Sequence, residues 1–290
     1  MKPSLTRIGT RLLAEPWLIR SDKYASLVSQ FRAATVHRSG QQIRIECEDD
    51  DDDCPPMDMK IQRQADMDCL ADLQIMQGIA IIPVFGILGK HLDMMDLMCG
   101  GYDVGLLQRQ AMALMNRADV HTVILHLNTP GGAAAGIADV GTTLLELGSQ
   151  KRLLAYVDEA CSGGQWIACC ASEIYIGASA MAGSISAVCA IHDESKAYEM
   201  EGVKVDVFTD GDLKGAGIEG TSLTASQRAD IQGRIEYIGG VFKDFVKLRR
   251  PAVTDDSLRG QWFYGSQAVE RGLADAITPS LEHVIALALP

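Results

Sequence analysis

Arg152-Leu153-Leu154-Ala155-Tyr156-Val157-Asp158-Glu159-Ala160-Cys161-Ser162-Gly163-Gly164-Gln165-Trp166 runs from an apolar stretch into charge, then through a serine and two glycines into small and apolar residues. That order predicts a strand, a tight turn and a helix. Gly163 and Gly164 permit close backbone approach and leave N–H groups free at the start of the helix, where partial positive charge favours a developing oxyanion. Ser162 on such a turn reads in two ways, as the N-cap of the helix or as a nucleophile. The stretch alone leaves both open.

The same alternation continues on either side. Ile79 to Phe85 is an apolar run closed by Gly86, and Val123 to Leu127 is another, ending in Asn128-Thr129-Pro130-Gly131-Gly132. Leu153 to Val157 and Glu173 to Ile176 follow as third and fourth strands. Tyr102 to Ala118 has helical spacing in Val104, Leu107, Ala111 and Leu114, and Ala133 to Leu147 is rich in small residues. Strands separated by helices imply right-handed β-α-β units, hence an α/β fold with a mostly parallel sheet. A long helix is expected from Ser226 to Leu248, where Ile231, Ile235, Ile238, Val241, Phe242 and Phe245 could serve a core alone or a core and a neighbouring copy.

Residues 1–72 differ in texture and read as an N-terminal arm attached to a domain over 73–290. A helix is expected around Asp22 to Ala34, with Tyr24, Leu27, Val28 and Phe31 at helical spacing. The acidic run Glu48 to Asp53, followed by Pro55 and Pro56, marks residues 46–56 as a solvated linker. A calcium loop is the sharper alternative, but the run lacks the spaced ligands and glycine of an EF-hand.

Composition narrows the function. The chain has 290 residues and is 47% hydrophobic, enough for a sizeable core. Its net charge of −12, from 38 acidic and 26 basic residues, argues against a grip on nucleic acid phosphates. The 8 cysteines form no C-x-x-C pair and no zinc spacing with histidine, so no metal is expected and reduced thiols in a cytoplasm are. No apolar run reaches the roughly 18 residues of a membrane span. Nothing calls for a cofactor.

Three glycine turns follow three successive strands: Pro130-Gly131-Gly132, Ser162-Gly163-Gly164 and Ala182-Gly183-Ser184. In a parallel sheet those strand ends share one edge, where ligands bind. The serine could attack while N–H groups around Gly131, Gly132 and Gly163 receive the oxyanion. A base is needed, and none of the 6 histidines is well placed, His126 lying within a strand. Lys214, in Thr209-Asp210-Gly211-Asp212-Leu213-Lys214-Gly215 after the alternating run Val203 to Phe208, is either that base or an exposed loop lysine.

These turns, with Pro83-Val84-Phe85-Gly86, Met181-Ala182-Gly183-Ser184-Ile185-Ser186, Asp212-Leu213-Lys214-Gly215 and Tyr264-Gly265-Ser266-Gln267-Ala268 through Gly272-Leu273-Ala274-Asp275, occur in the order of the S49 peptidases. Over about residues 75–280 the chain resembles that signal peptide peptidase A-like family of the ClpP/crotonase superfamily. The resemblance implies a ClpP/crotonase-like fold of repeated β-β-α and β-α-β units and a Ser-Lys dyad. Ser162 would be the nucleophile, Lys214 the general base and Ser184 the residue that orients the lysine. Gly132 and Gly163 would donate to the oxyanion, with Gly131 shaping the turn. A lysine base must be neutral, which calls for burial under apolar surface. Thr129, Gln165 and Ser186 stand where the family more often has serine, an aromatic residue and glycine.

The soluble arm with Pro16-Trp17-Leu18-Ile19 resembles the tailed-phage branch, which implies a prohead or capsid maturation protease acting on scaffold or capsid proteins. It would work as a homo-oligomeric ring in which neighbouring subunits contribute to the groove, in the host cytoplasm or the prohead. A cytoplasmic bacterial peptidase and a catalytically inactive capsid-assembly scaffold are the alternatives.

Overall fold

The computed structural model describes residues 15–36, 69–71 and 73–289. The acidic run 46–56 lies outside the described residues. Two sheets meet near the Ser162 turn. The larger is built on four neighbouring strands, β3 (Ile79–Phe85), β6 (Thr122–Thr129), β8 (Arg152–Cys161) and β9 (Glu173–Gly183), all parallel. Antiparallel strands close its edges: β2 (Gln74–Met76) pairs β3, and β10 (Trp262–Tyr264) pairs β9, while the short β11 (Ala276–Ile277) adds parallel to β9. The α/β fold and the mostly parallel sheet expected from the alternation are both present.

The central strands are apolar on both faces because helices cover them, as parallel sheets require. On one face α3 (Val104–Met115), α4 (Ile137–Gln150) and α5 (Gly163–Ala168) bury Leu107, Leu114, Leu144, Leu147, Trp166 and Ile167 in the main core. On the other, α9 (Leu281–Ala288) sets Val284 and Ala288 against Ile81, Ile124 and Leu154. Helix α7 (Ala225–Arg249) reaches the first core through two rings: Trp166 stacks on Phe242 at 5.2 Å and on Phe245 at 4.8 Å. Its opposite face leaves Tyr237 and Leu248 exposed.

The smaller sheet runs β1 (Trp17–Ile19), β7 (Gly131–Ala133), β4 (Ile87–Gly89), β5 (Gly101–Asp103). Its pairs are parallel except for β1, which lies antiparallel to β7. Residues 131–133, assigned to a turn and helix start from sequence, thus form a strand, and α4 begins at Ile137 after the left-handed Gly136. Helix α1 (Ser21–Val36) follows β1 directly and packs Tyr24 and Val28 on Trp17 and Ile19. Between β9 and α7 the chain holds one short helix, α6 (Ser195–Met200), and otherwise runs without strand or helix from Glu201 to Thr224.

Candidate active site

Strands β6, β8 and β9 deliver the three glycine turns to one edge. At the end of β8, Ser162 is fully buried with φ 53° and ψ −114°, a backbone region that side chains other than glycine seldom occupy. Such a residue costs on the order of 1–3 kcal/mol and persists only where its surroundings over-determine it, which is typical of functional sites. Its N–H donates to the Gly183 carbonyl at 2.7 Å and its Oγ to the Ser186 carbonyl at 3.4 Å. Ser162 therefore precedes α5 without capping it through its side chain. The N-cap alternative is not what the hydroxyl does.

The third turn mirrors the second. Ser184 is buried, takes φ 53° and donates its N–H to the Gln261 carbonyl at 2.7 Å. It lies one residue beyond the Gly183 that holds Ser162. Gln165, fully buried in α5, fixes the relation of the two turns: its Oε1 accepts from the Gly183 N–H at 3.2 Å and its Nε2 donates to the Leu273 carbonyl at 3.1 Å. In the sequence Gln165 shows only as a residue standing where the S49 peptidases more often have an aromatic. The signal was a lone amide inside an otherwise small and apolar run.

On the first turn, Thr129 Oγ1 accepts from the Gly131 N–H at 3.1 Å. Gly131 has φ +96°, and a Cβ there would stand 3.0 Å from the Gly163 nitrogen and 2.9 Å from the Cys161 carbonyl oxygen. A Cβ on Gly132 would fall 1.9 Å from the Leu88 carbonyl oxygen. The glycines are thus what lets the first turn and the Ser162 turn close on each other. Ser162, Ser184, Gly131, Gly132 and Gly163 all gather at this edge.

Lys214 does not join them in the single chain. It is exposed, in a turn where its N–H donates to the Gly211 carbonyl at 3.0 Å, and among the described residues nothing pairs with its ammonium group. The expected burial under apolar strands is corrected: the alternating run Val203 to Phe208 forms no strand, and Phe208 is 93% exposed. The run alternates like a half-buried strand but finds no partner strand among the described residues.

Other nucleophiles and bases are set aside by their surroundings. Burial pushes the Cys161 thiol, next to Ser162, up to about 12, so it stays protonated and unreactive near neutral pH. His126 bonds Asp158 at 2.7 Å and packs against Phe85 and Tyr156, but no hydrogen bond links it to Ser162. No group of three or more metal-ligating side chains occurs among the described residues. No described helix is long and apolar enough to cross a membrane.

Residues 146–288, which carry the second and third turns and Lys214, match Peptidase family S49. This half of the chain carries the S49 family signature. Capsid assembly protease C of Escherichia phage lambda is 28% identical over 89% of this chain and 55% of its own length. Probable protease SohB of Haemophilus influenzae is 31% identical over 60% of this chain and 50% of its own. The chain thus spans about half the length of these two relatives. Among solved structures, an enoyl-CoA hydratase/isomerase family member is similar at 17% identity, covering 75% of this chain and 74% of that one, with a TM-score of 0.40.

Proposed function

We propose that this chain is a serine endopeptidase that works through an acyl-enzyme on Ser162 in phage capsid assembly, cutting scaffold or capsid proteins. One observation carries the reading: a buried serine in strained backbone stands at the start of a helix, facing the glycines of a neighbouring turn. A hydroxyl so placed can attack a carbonyl whose oxygen enters between the N–H groups of Gly132 and Gly163. Donors of that kind are worth about 10²–10³ in rate each. The capsid role is supported by the resemblance to the lambda protease, and the bacterial reading by the resemblance to SohB.

In this reading Lys214 is the general base and Ser184 its positioning residue. A neutral lysine needs apolar cover that one copy of the chain does not supply, and the segment around it exposes Met200 and Phe208. A second copy laid over residues 200–218 would supply it. The base therefore acts in a homo-oligomer, as the ring expectation holds. The test is hydrolysis of co-expressed capsid and scaffold proteins, followed by mass spectrometry, with wild type, Ser162→Ala and Lys214→Met. Cleavage by wild type alone supports the peptidase. Identical patterns in all three would favour an inactive scaffold.

A further inference from the structure

The cleft beside Ser162 is already filled by the chain's own residues 16–20, which lie there as an extended strand. On one side β1 pairs with β7: the Arg20 N–H donates to the Pro130 carbonyl at 2.8 Å and the Ala134 N–H to the Pro16 carbonyl at 3.1 Å. On the other, Trp17 and Val188 exchange both backbone bonds, at 2.9 and 3.0 Å. Hydrogen-bonded pairs alternate along an antiparallel ladder, so Leu18 and Gly132 form the next such pair, which aims the Gly132 N–H at the Leu18 carbonyl. The same carbonyl oxygen would stand 2.0 Å from a Cβ on Gly131 and 3.2 Å from one on Gly163. It occupies the place where an oxyanion would be received.

The side chains agree with that register. Leu18 is buried and lines an apolar cleft of about 490 Å³ together with Ala134, Ile137, Trp166 and Ile238. Trp17 and Ile19, alternating to the other face, pack on Tyr24 and Val28. Arg20, nearly buried, is held by Glu159 at 2.8 Å and Asp22 at 2.6 Å. The backbone bonds that seat this strand do not depend on sequence, so another extended peptide could make them. The pocket under Leu18 is what selects.

We propose that residues 16–20 are a tethered, substrate-like occupant of the peptidase groove, and that the Leu18–Ile19 bond marks the scissile position. The proposal rests on the reading of Ser162 as nucleophile. The occupant holds the groove shut until an incoming chain displaces it, and it defines the substrate: an extended strand with leucine or a similar aliphatic residue contributing the attacked carbonyl. In the cut, Ser162 Oγ bonds to that carbonyl carbon and its proton passes through the base to the leaving nitrogen as the C–N bond breaks. Water then hydrolyses the ester, leaving a carboxylate on the leucine and a free amine on the next residue.

The test uses a fluorescent peptide of residues 15–22 and the full chain. In a Ser162→Ala background, Leu18→Gly and Leu18→Asp should bind the peptide at least about tenfold tighter than the chain with Leu18 in place, because a tethered strand competes at an effective concentration in the millimolar range. With Ser162 intact, Leu18→Gly should cut the peptide between leucine and isoleucine, read by mass spectrometry. Equal binding with and without Leu18, or none to a Leu18 variant that melts cooperatively, would overturn the proposal and leave β1 an ordinary structural strand. Cutting at another bond would overturn the register. Binding without cutting, in a protein whose Ser162 also resists a fluorophosphonate, supports the groove and counts against Ser162 as nucleophile. Should both variants fail to fold, millimolar peptide added to the chain carrying only Ser162→Ala should speed amide exchange at Trp17 to Arg20, and unchanged exchange would overturn the proposal.

Discussion

Gln165 accepts a hydrogen bond from the backbone N–H of Gly183 at 3.2 Å, and through it a helix residue sets the spacing between the Ser162 and Ser184 turns. Its amide also binds the Leu273 carbonyl, so both ends of the side chain are used inside the core. Replacing it by leucine keeps the volume but strands two buried backbone groups. Gln165→Leu is expected to lose about 2–4 kcal/mol of stability, from about 1–3 kcal/mol per unsatisfied group. Chemical denaturation measures this, and a loss under 1 kcal/mol would mean the two groups find other partners.

Gly132→Ala and Gly233→Ala should separate a glycine required by close approach from one that is not. At Gly132 the new Cβ would run into the Leu88 carbonyl, part of the backbone pair between β4 and β7, whereas at Gly233, in the middle of α7, it meets open space. Overpacking of this kind costs about 1–3 kcal/mol or more, while alanine in an exposed helix gains up to about 1 kcal/mol over glycine. Melting temperatures should therefore move in opposite directions.

The pair of Arg20 and Glu159 gives a pH dependence with a definite sign. Burial raises the Glu159 carboxyl above its usual range, and the Arg20 guanidinium draws it part of the way back. A carboxyl raised on folding binds its proton better in the folded state, so stability falls as pH rises from the ordinary carboxylate range through the folded value. Arg20→Met removes the offset. It should cost about 2 kcal/mol at neutral pH, less than the 3–5 kcal/mol of a fully buried pair because Glu159 keeps some contact with solvent. Thermal denaturation from pH 4 to 8 should show a steeper fall for Arg20→Met, and the added steepness should vanish once Glu159→Gln is combined with it.

Activity should depend on protein concentration, since the exposed Lys214 needs a second copy to cover it. Mixing Ser162→Ala with Lys214→Met copies should restore measurable hydrolysis if the lysine serves a neighbour's serine, and leave none if each copy supplies its own. In either case activity that persists in a monomer, as sized by analytical ultracentrifugation, would rule out assembly as the source of burial.

The fold was legible because β3, β6, β8 and β9 are short apolar runs with turn residues at their ends, a pattern set by burial on both faces. The glycines at 131, 132 and 163 were legible for the same reason, since close backbone approach admits few other residues. The N-terminal strand was not. Pro16 to Arg20 is too short to show a period, and its partners, Gly131–Ala133 and Val188, lie more than a hundred positions away. Gln165 was legible only as a departure from the family pattern, because a buried amide is explained only by the two backbone groups it meets. For Lys214 the sequence pointed to a residue whose surroundings the single chain leaves open to solvent.

The nucleophilic role of Ser162 is tested most directly by covalent labelling. Treating the full chain and its Ser162→Ala variant with a fluorophosphonate, at concentrations where the protein assembles, and mapping adducts by mass spectrometry should give one covalent modification, on Ser162, that the variant lacks. An adduct retained in Ser162→Ala, or an unmodified serine in a folded and assembled chain, would contradict it.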